Sequence, residues 1–496
     1  MITLADYQVS NPGAMFGTGT SEQELGELNK ALSAGDTTGQ GTLNLTTASG
    51  APLKVESLEK TLKVLTHTKD EVTLWKNVPK SAAYNTVEEY NQLSSYGADR
   101  GGFNGEGELP QEEDSTYIRR AQLVKFLGVT KSVTHPMSLV NTQIGNIVEK
   151  EIQNGTLWIL RKLDKGLYDA DEKLIPEEFN GFLTQHRKND QFATINDYFN
   201  SGLVIDMRGS ILTEIAIESA ANTIAESFGR GTELYAPPKV ISNFVKNFYG
   251  NKFIGVGQSG AIQNATVGQS VKNFESQFGN IGLNWDVFFN KKPTKLYNAA
   301  ATHTSAPNAP TVGGAPAAAV GASAYSVFAA GDAGNYIYGV IGNNKYGDSA
   351  MTILDVTPTT VVAGGAVDLQ FTGTASTYPA TAFTIYRSQK GATTPATSTM
   401  YPLFTISLAE LTAGYDLAAA GKVRDNNRWM SDTDKAFLVQ FDTDVIEFKQ
   451  LAPLMKMDLA VTSPAYRFMM LLYGTPFLYN IRRLILFVNI GSTIPA

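Results

Sequence analysis

Five carboxylates crowd one short stretch of this chain: Glu106, Glu108, Glu112, Glu113 and Asp114, within the run Gly105 to Asp114. Hard divalent cations take oxygen ligands, so these residue types are those of a cation site. A solvated acidic tip is the plainer reading. Ion pairing with basic side chains of another molecule is the third. Arg119, Arg120 and Lys125 follow closely and offer such partners. The histidines His67, His135, His186 and His303 stand at no metal-binding spacing with one another or with a carboxylate, so structural roles are expected. Gly257-Gln258-Ser259-Gly260 misses the spacing of a nucleophile elbow. The glycines at Gly250 and Gly255 precede Val256, not the Lys-Ser/Thr of a phosphate loop. Asp432, Asp434, Asp442 and Asp444 fall in i, i+2 pairs and read as solvated strand edges. The chain has no cysteine, which excludes disulfides and thiolate chemistry. No catalytic constellation, metal site or cofactor motif emerges, so the chain reads as a non-enzyme.

The elements that must hold these residues are large. At 496 residues the chain exceeds a single core, and two to four domains are expected. Charged residues make up 18%, low enough to suit a protein with much surface buried against partners. The net charge is −7, which argues against sequence-reading contact with nucleic acid. The first residues lack a basic leader and an apolar core, so no signal peptide is expected. The apolar stretch Phe468 to Leu478 is broken by Gly474 and Pro476 and falls short of the ~20 residues a membrane helix needs.

Residues 10–52 are rich in Gly, Thr, Ser and Asn and read as an arm. Val55, Leu58, Leu62 and Leu65 predict a short helix over Val55 to His67. Thr86 to Tyr96 and Tyr117 to Thr134 read as two legs of a ribbon, and a leg of about 14 residues would reach ~46 Å at ~3.3 Å per residue. A lone ribbon is marginal in water and requires a partner surface. Val140, Ile144, Ile147, Val148, Ile152, Ile159, Leu163 and Leu167 predict one long helix from about Met137 to Ala170, bent at Asn154-Gly155. A second helix is expected over Gly209 to Phe228, then a strand, an Ala236-Pro237-Pro238 corner and a short helix. From Ala299 to Met400 charges thin out, and runs such as Tyr336 to Ile341, Val367 to Phe371 and Phe383 to Arg387 read as strands of a small sandwich. The aromatics Tyr325, Phe328, Tyr336, Tyr338, Tyr346 and Tyr386 read as its core, with a glycan-binding face as the sharper alternative. Dense apolar β segments resume at Phe437 to Phe441, Val445 to Phe448, Phe468 to Tyr473 and Leu484 to Ile490, so the sandwich reads as an insertion.

This order of parts, with Tyr466-Arg467-Phe468-Met469-Met470-Leu471-Leu472-Tyr473-Gly474 near its end, resembles the major capsid proteins of tailed phages, the Hong Kong 97 fold shared with encapsulins. The resemblance implies an α+β capsid fold with seven parts. Residues 1–70 would be an N-terminal arm with its short helix, 71–135 the extended β-loop, and 136–195 a peripheral domain with a long spine helix. Residues 196–296 and 429–460 would form the axial domain, and 461–496 the peripheral return strands. Residues 297–428 resemble an immunoglobulin or fibronectin type III sandwich, on Asn308-Ala309-Pro310-Thr311, Tyr336 to Ser349 and Ala382 to Ser388.

The function implied is that of a shell subunit: hexamers and pentamers of itself enclosing double-stranded DNA, with the sandwich on the outer surface. Glu106, Glu108, Glu112, Glu113 and Asp114 would meet Arg119, Arg120 or Lys125 of a neighbouring copy. A separate scaffolding protein, a portal and a decoration protein are the implied partners, DNA touches the inner face non-specifically, and no membrane is involved. The location would be the virion, with assembly in the host cytoplasm. A bacterial surface or adhesion protein with an immunoglobulin-like domain is the alternative.

Overall fold

The computed structural model describes residues 69–97, 103–109, 112–140, 146–249, 271–289, 297, 303–319, 325–416, 418–461 and 463–491. The helix expected at Val55 to His67 lies outside them. In chain order, helix α1 (Thr73–Asn77) leads into strands β1 (Lys80–Ala82), β2 (Val87–Ser95), β3 (Thr116–Leu123) and β4 (Lys125–Thr134). Helices α2 (His135–Leu139), α3 (Ile147–Asp169), α4 (Phe182–Arg187) and α5 (Ile195–Asn200) follow. Next come β5 (Val204–Asp206), α6 (Glu214–Glu226), β6 (Glu233–Ala236), α7 (Pro238–Tyr249), β7 (Asn273–Ser276) and β8 (Gly279–Trp285). The low-charge segment holds β9 (Thr311–Ala319), β10 (Gly334–Tyr336), β11 (Tyr338–Asn344), β12 (Gly347–Asp348), β13 (Thr352–Ile353), β14 (Thr359–Val361), β15 (Ala366–Thr372), β16 (Ala382–Ser388), β17 (Met400–Ser407), α8 (Leu408–Ala413) and β18 (Lys422–Asp425). The last strands are β19 (Asp434–Val439), β20 (Ile446–Asp458), β21 (Ala465–Leu478) and β22 (Leu484–Ile490). The fold is mixed α+β.

Two sheets join the chain before the low-charge segment to the chain after it. One has the order β1-β20-β21-β4, the other β5-β22-β19-β6-β8-β7. Strand β22 reads Leu-Ile-Leu-Phe-Val-Asn-Ile and is buried along its whole length, as a central strand covered on both faces must be. The strands after that segment do not divide at residue 460. β20 and β21 pair as a hairpin beside β4, whereas β22 pairs with β19 and β5. The two links are of similar length, so the partners decide: β21 pairs with β20 and β4, and β22 fits between β19 and β5.

The expected long helix is two elements. Val140 is extended (ψ 131°), and Asn146 caps α3 by accepting the Val148 N–H at 3.0 Å. An extended residue cannot propagate helical hydrogen bonds, so α3 starts afresh at Ile147. Nor does Asn154-Gly155 break it, since both lie inside the continuous 23-residue α3. Gly155 serves close approach instead: a Cβ there would stand 2.7 Å from Met470 Sδ on β21. Ile159, Leu163 and Leu167 are fully buried on the same helix. The second helix begins at Glu214 rather than Gly209, because Thr213 caps it by accepting the Ala216 N–H at 3.3 Å. It ends before Phe228, which takes a left-handed φ of 61°.

The low-charge segment forms, besides the two-stranded β10-β14, two larger antiparallel sheets, β18-β15-β9 and β12-β11-β16-β17, with β13 also on β11. They meet where Phe371 packs on Phe383 at 5.4 Å between ring centres. Phe328, Tyr336 and Tyr338 are buried in the same cluster as that pair, Tyr386 is buried in a separate one with Ile337, Ile341 and Met400, and Tyr325 and Tyr346 are exposed. The larger core is continuous with that of the six-stranded sheet: Leu403, Phe404 and Trp429 belong to the same apolar cluster as Leu486 and Phe437. Polar bonds reinforce the join. Arg208, after β5, donates to Asp332 Oδ2 at 2.9 Å, and Asn427 donates to the same atom at 3.0 Å. Asp434 is buried at the start of β19, so the reading of that aspartate as a solvated edge is corrected by its place inside the sheet.

Candidate subunit-contact surface

Strands β2 and β3 pair with each other and with no central sheet, from Val87 opposite Leu123 to Leu93 opposite Tyr117. Their side chains alternate in the sense opposite to that of most half-buried strands. The polar residues Glu88, Gln92, Arg120 and Gln122 face the body, with Tyr90 among them. Val87, Leu93, Tyr117 and Leu123 face outward and are exposed. Opposed pairs share a face, so Val87/Leu123 and Leu93/Tyr117 make two outward apolar patches. Glu89 and Arg119 form an ion pair between them.

The inward face is a clamp. The Glu88 carboxylate accepts the Tyr84 and Asn85 N–H groups at 2.7 and 2.9 Å and pairs with Lys449 at 3.4 Å. Burial by itself would raise its pKa; the two N–H groups and Lys449 outweigh that and hold it below the ordinary carboxylate value. Gln92 donates to the Tyr479 carbonyl at 2.8 Å, and the Tyr90 ring packs edge-on against Tyr479 and Phe477. Arg120 donates to Asp190 at 3.0 Å and to Gln92 at 3.1 Å. Where β3 ends, Val124 is buried and the chain passes from the ribbon into the four-stranded sheet as β4. The expected second leg is therefore split: only Thr116 to Leu123 belongs to the ribbon, because β4 finds ladder bonds on β21 that a lone ribbon cannot offer. Lys125 fixes the crossing by donating to Glu172 and to the Pro176 carbonyl, both at 2.7 Å.

The three basic residues expected to reach a neighbour thus have carboxylate partners in their own subunit: Arg119 on Glu89, Arg120 on Asp190 and Lys125 on Glu172. Among the described residues no salt bridge joins them to the acidic tip. Glu106, Glu108, Glu112, Glu113 and Asp114 are all exposed. Glu108 closes the tip turn, accepting the Gly105 N–H at 3.1 Å, and Gly107 supplies the left-handed φ of 86° that the turn needs. Glu113 sits against Gly97, whose added Cβ would stand 3.1 Å from it. Among the described residues no three His, Asp or Glu side chains gather as metal ligands.

Charge counting missed the apolar half of this surface. Phe103 and Leu109 flank the acidic tip at 101% and 94% exposure. Phe126, Met137, Leu139 and Val140 continue the exposed series past the ribbon. Of 25 exposed large hydrophobic residues among those described, 13 lie between Tyr84 and Val140. The period-two alternation was the signal available in the sequence; which of its faces meets the body was not.

No family model matches the chain. The major capsid protein of Staphylococcus phage S25-3 is 24% identical over 448 residues, 88% of this chain and 90% of that protein. A relative from Enterococcus phage phiEF24C, also named for the major capsid role, is 24% identical over 274 residues, where the match spans 55% of the relative's length and 53% of this chain. Among solved structures, the holo-SrpI encapsulin complex of Synechococcus elongatus PCC 7942 covers 91% of this chain and 98% of its own, with a TM-score of 0.44 and 8% identity. The capsid of Myoviridae phage XM1 covers 90% and 99%, with a TM-score of 0.42 and 8% identity. Along nearly nine-tenths of its length, then, the chain is similar in sequence to phage major capsid proteins.

Proposed function

We propose that this chain is a phage major capsid protein, a structural subunit that assembles with copies of itself into the shell of the virion. The relationship to phage major capsid proteins over 448 residues supports the shell role. One observation supports the contact role: 13 of the 25 exposed large hydrophobic residues, among those described, fall between Tyr84 and Val140. A monomer in water gains nothing from such a concentration, whereas a neighbour that covers it removes the apolar area from solvent.

In this reading the clamp of Glu88, Gln92, Arg120 and Lys125 fixes the direction of the ribbon. The outward patches Val87/Leu123 and Leu93/Tyr117, with Phe103 and Leu109 at the tip, dock on the next subunit. Full burial of one such side chain is worth about 1.5–3 kcal/mol. An exposed ion pair is worth about 0–1 kcal/mol, so apolar burial sets affinity and charge sets register. Glu106, Glu108, Glu112 and Asp114 would meet basic side chains of the neighbour. Arg119, Arg120 and Lys125 orient the ribbon from within their own subunit. The assembly would comprise hexamers and pentamers enclosing double-stranded DNA, formed in the host cytoplasm with a separate scaffolding protein, a portal and a possible decoration protein. The segment 297–428 would be an inserted module on the outer surface.

Electron microscopy of the full chain produced with its phage's scaffolding protein tests the reading. Closed shells are expected. A chain that stays monomeric or dimeric under those conditions overturns it. Deletion of Gly101 to Ser115 should leave a folded subunit, by circular dichroism and sedimentation, that does not close shells. Normal assembly of that variant removes the contact role from the tip.

A further inference from the structure

Helix α1 has no side-chain cap of its own, since Val72 stands at its N-cap. Its free N–H groups go to two carboxyls from distant parts of the chain. Trp75 N–H donates to Asp164 Oδ1 on α3 at 2.8 Å, and Leu74 N–H donates to Asp286 Oδ2, just past β8, at 3.4 Å. Both acids are fully buried. Asp286 is well supplied with donors: Tyr168 O–H at 2.8 Å on Oδ2 and Phe288 N–H at 2.7 Å on Oδ1 besides Leu74. Asp164 is not, and its Oδ2 is a buried oxygen with no donor. An ionised Asp164 would leave that oxygen bare beside a second carboxylate. A protonated Asp164 resolves both faults, because its O–H becomes a donor toward Asp286.

We propose that a proton on Asp164, donated toward Asp286, acts as a latch, holding α1 on α3 while it is present and releasing α1 when it leaves. Two carboxylates in a dry site cannot both ionise cheaply. Among the described residues no cation acts on Asp164. Tyr168 and Tyr235 are the other titratable groups facing the pair, from α3 and β6, with Asn77 of α1 on the Tyr235 hydroxyl at 2.9 Å. Glu233 on β6 acts on Tyr235 and adds negative charge. Lys80 of β1 spends its ammonium on the Trp75 and Val78 carbonyls at 2.7 and 3.1 Å, and it stands exposed. Burial first, and then the charge of Asp286, raise Asp164 to about 9. The transition therefore falls in the mildly alkaline range. The proposal holds whatever the chain assembles into.

Hydrogen–deuterium exchange of the purified full chain, corrected for the intrinsic rate at each pH, reads the latch directly. In the wild type, protection of the peptide containing Leu74 to Asn77 should drop tenfold or more between about pH 7 and about pH 10, while protection in β22 changes far less. Asp164→Asn keeps the shape and a donor toward Asp286 but cannot ionise, so its protection should stay flat. Equal loss in both proteins, or no loss in the wild type, overturns the latch. A second measurement needs no variant. At about pH 7 the infrared spectrum should contain a protonated-carboxyl band that disappears on raising the pH to about 10. Absence of that band also overturns the proposal.

Discussion

At the scale of single residues, His186 shows how burial decides chemistry. Its ring is fully buried, with Nδ1 2.9 Å from the Tyr198 hydroxyl. Burial disfavours the charged ring and pushes its pKa down to about 4. In the unfolded chain a histidine titrates near 6.5. Between these values the unfolded state binds a proton that the folded state refuses. The stabilisation is therefore complete above about pH 6.5 and is lost as pH falls toward about 4, at roughly 1.4 kcal/mol per unit. Urea unfolding should accordingly show an acid limb about 3 kcal/mol steeper in the wild type than in His186→Gln. The absence of a metal-spaced partner made a structural role for His186 legible in the sequence. The pairing of Asp164 with Asp286 was not legible, because the two acids meet only through the packing of α3 against the end of β8.

At the scale of elements, the crossing of α3 over the β4–β21 sheet depends on Gly155. In sequence, Asn154-Gly155 reads as a bend, because glycine destabilises a helix interior. In the structure the helix is continuous across both residues, and the missing side chain makes room for Met470. Gly155→Val should thus cost about 1–3 kcal/mol by overpacking, despite valine's better helix propensity. Met470→Ala in the same chain should recover part of that loss, and a double-mutant cycle in thermal unfolding measures the coupling. Additive effects would mean the helix does not need the gap. The ribbon shows the same limit of pattern reading. Alternation announced strands, but not that β4 would leave the ribbon for β21, since the choice rests on which ladder offers more hydrogen bonds.

At the scale of the whole molecule, the low-charge segment and the body share one apolar core, and Arg208 bridges the two. Arg208 donates to Asp332 and to the carbonyls of Val327 and Asn427, so it ties the loop after β5 to three parts of that segment. Arg208→Ala should lower stability by about 1.5–3 kcal/mol while unfolding stays a single transition by calorimetry. Two separated transitions in the wild type would show the segment to be independent. The sequence by itself set several properties of this protein: no thiol chemistry, strands of period two, helices of period 3.6, and apolar β segments that resume after residue 430. These follow from residue type and local spacing, which a chain carries before it folds. Tertiary structure alone decided the rest. It matched Arg119, Arg120 and Lys125 with carboxylates of their own subunit, turned the apolar face of the ribbon outward, and brought two buried acids to the start of one helix. Each of those depends on which distant segments come within a few ångströms, and local periodicity carries no such information.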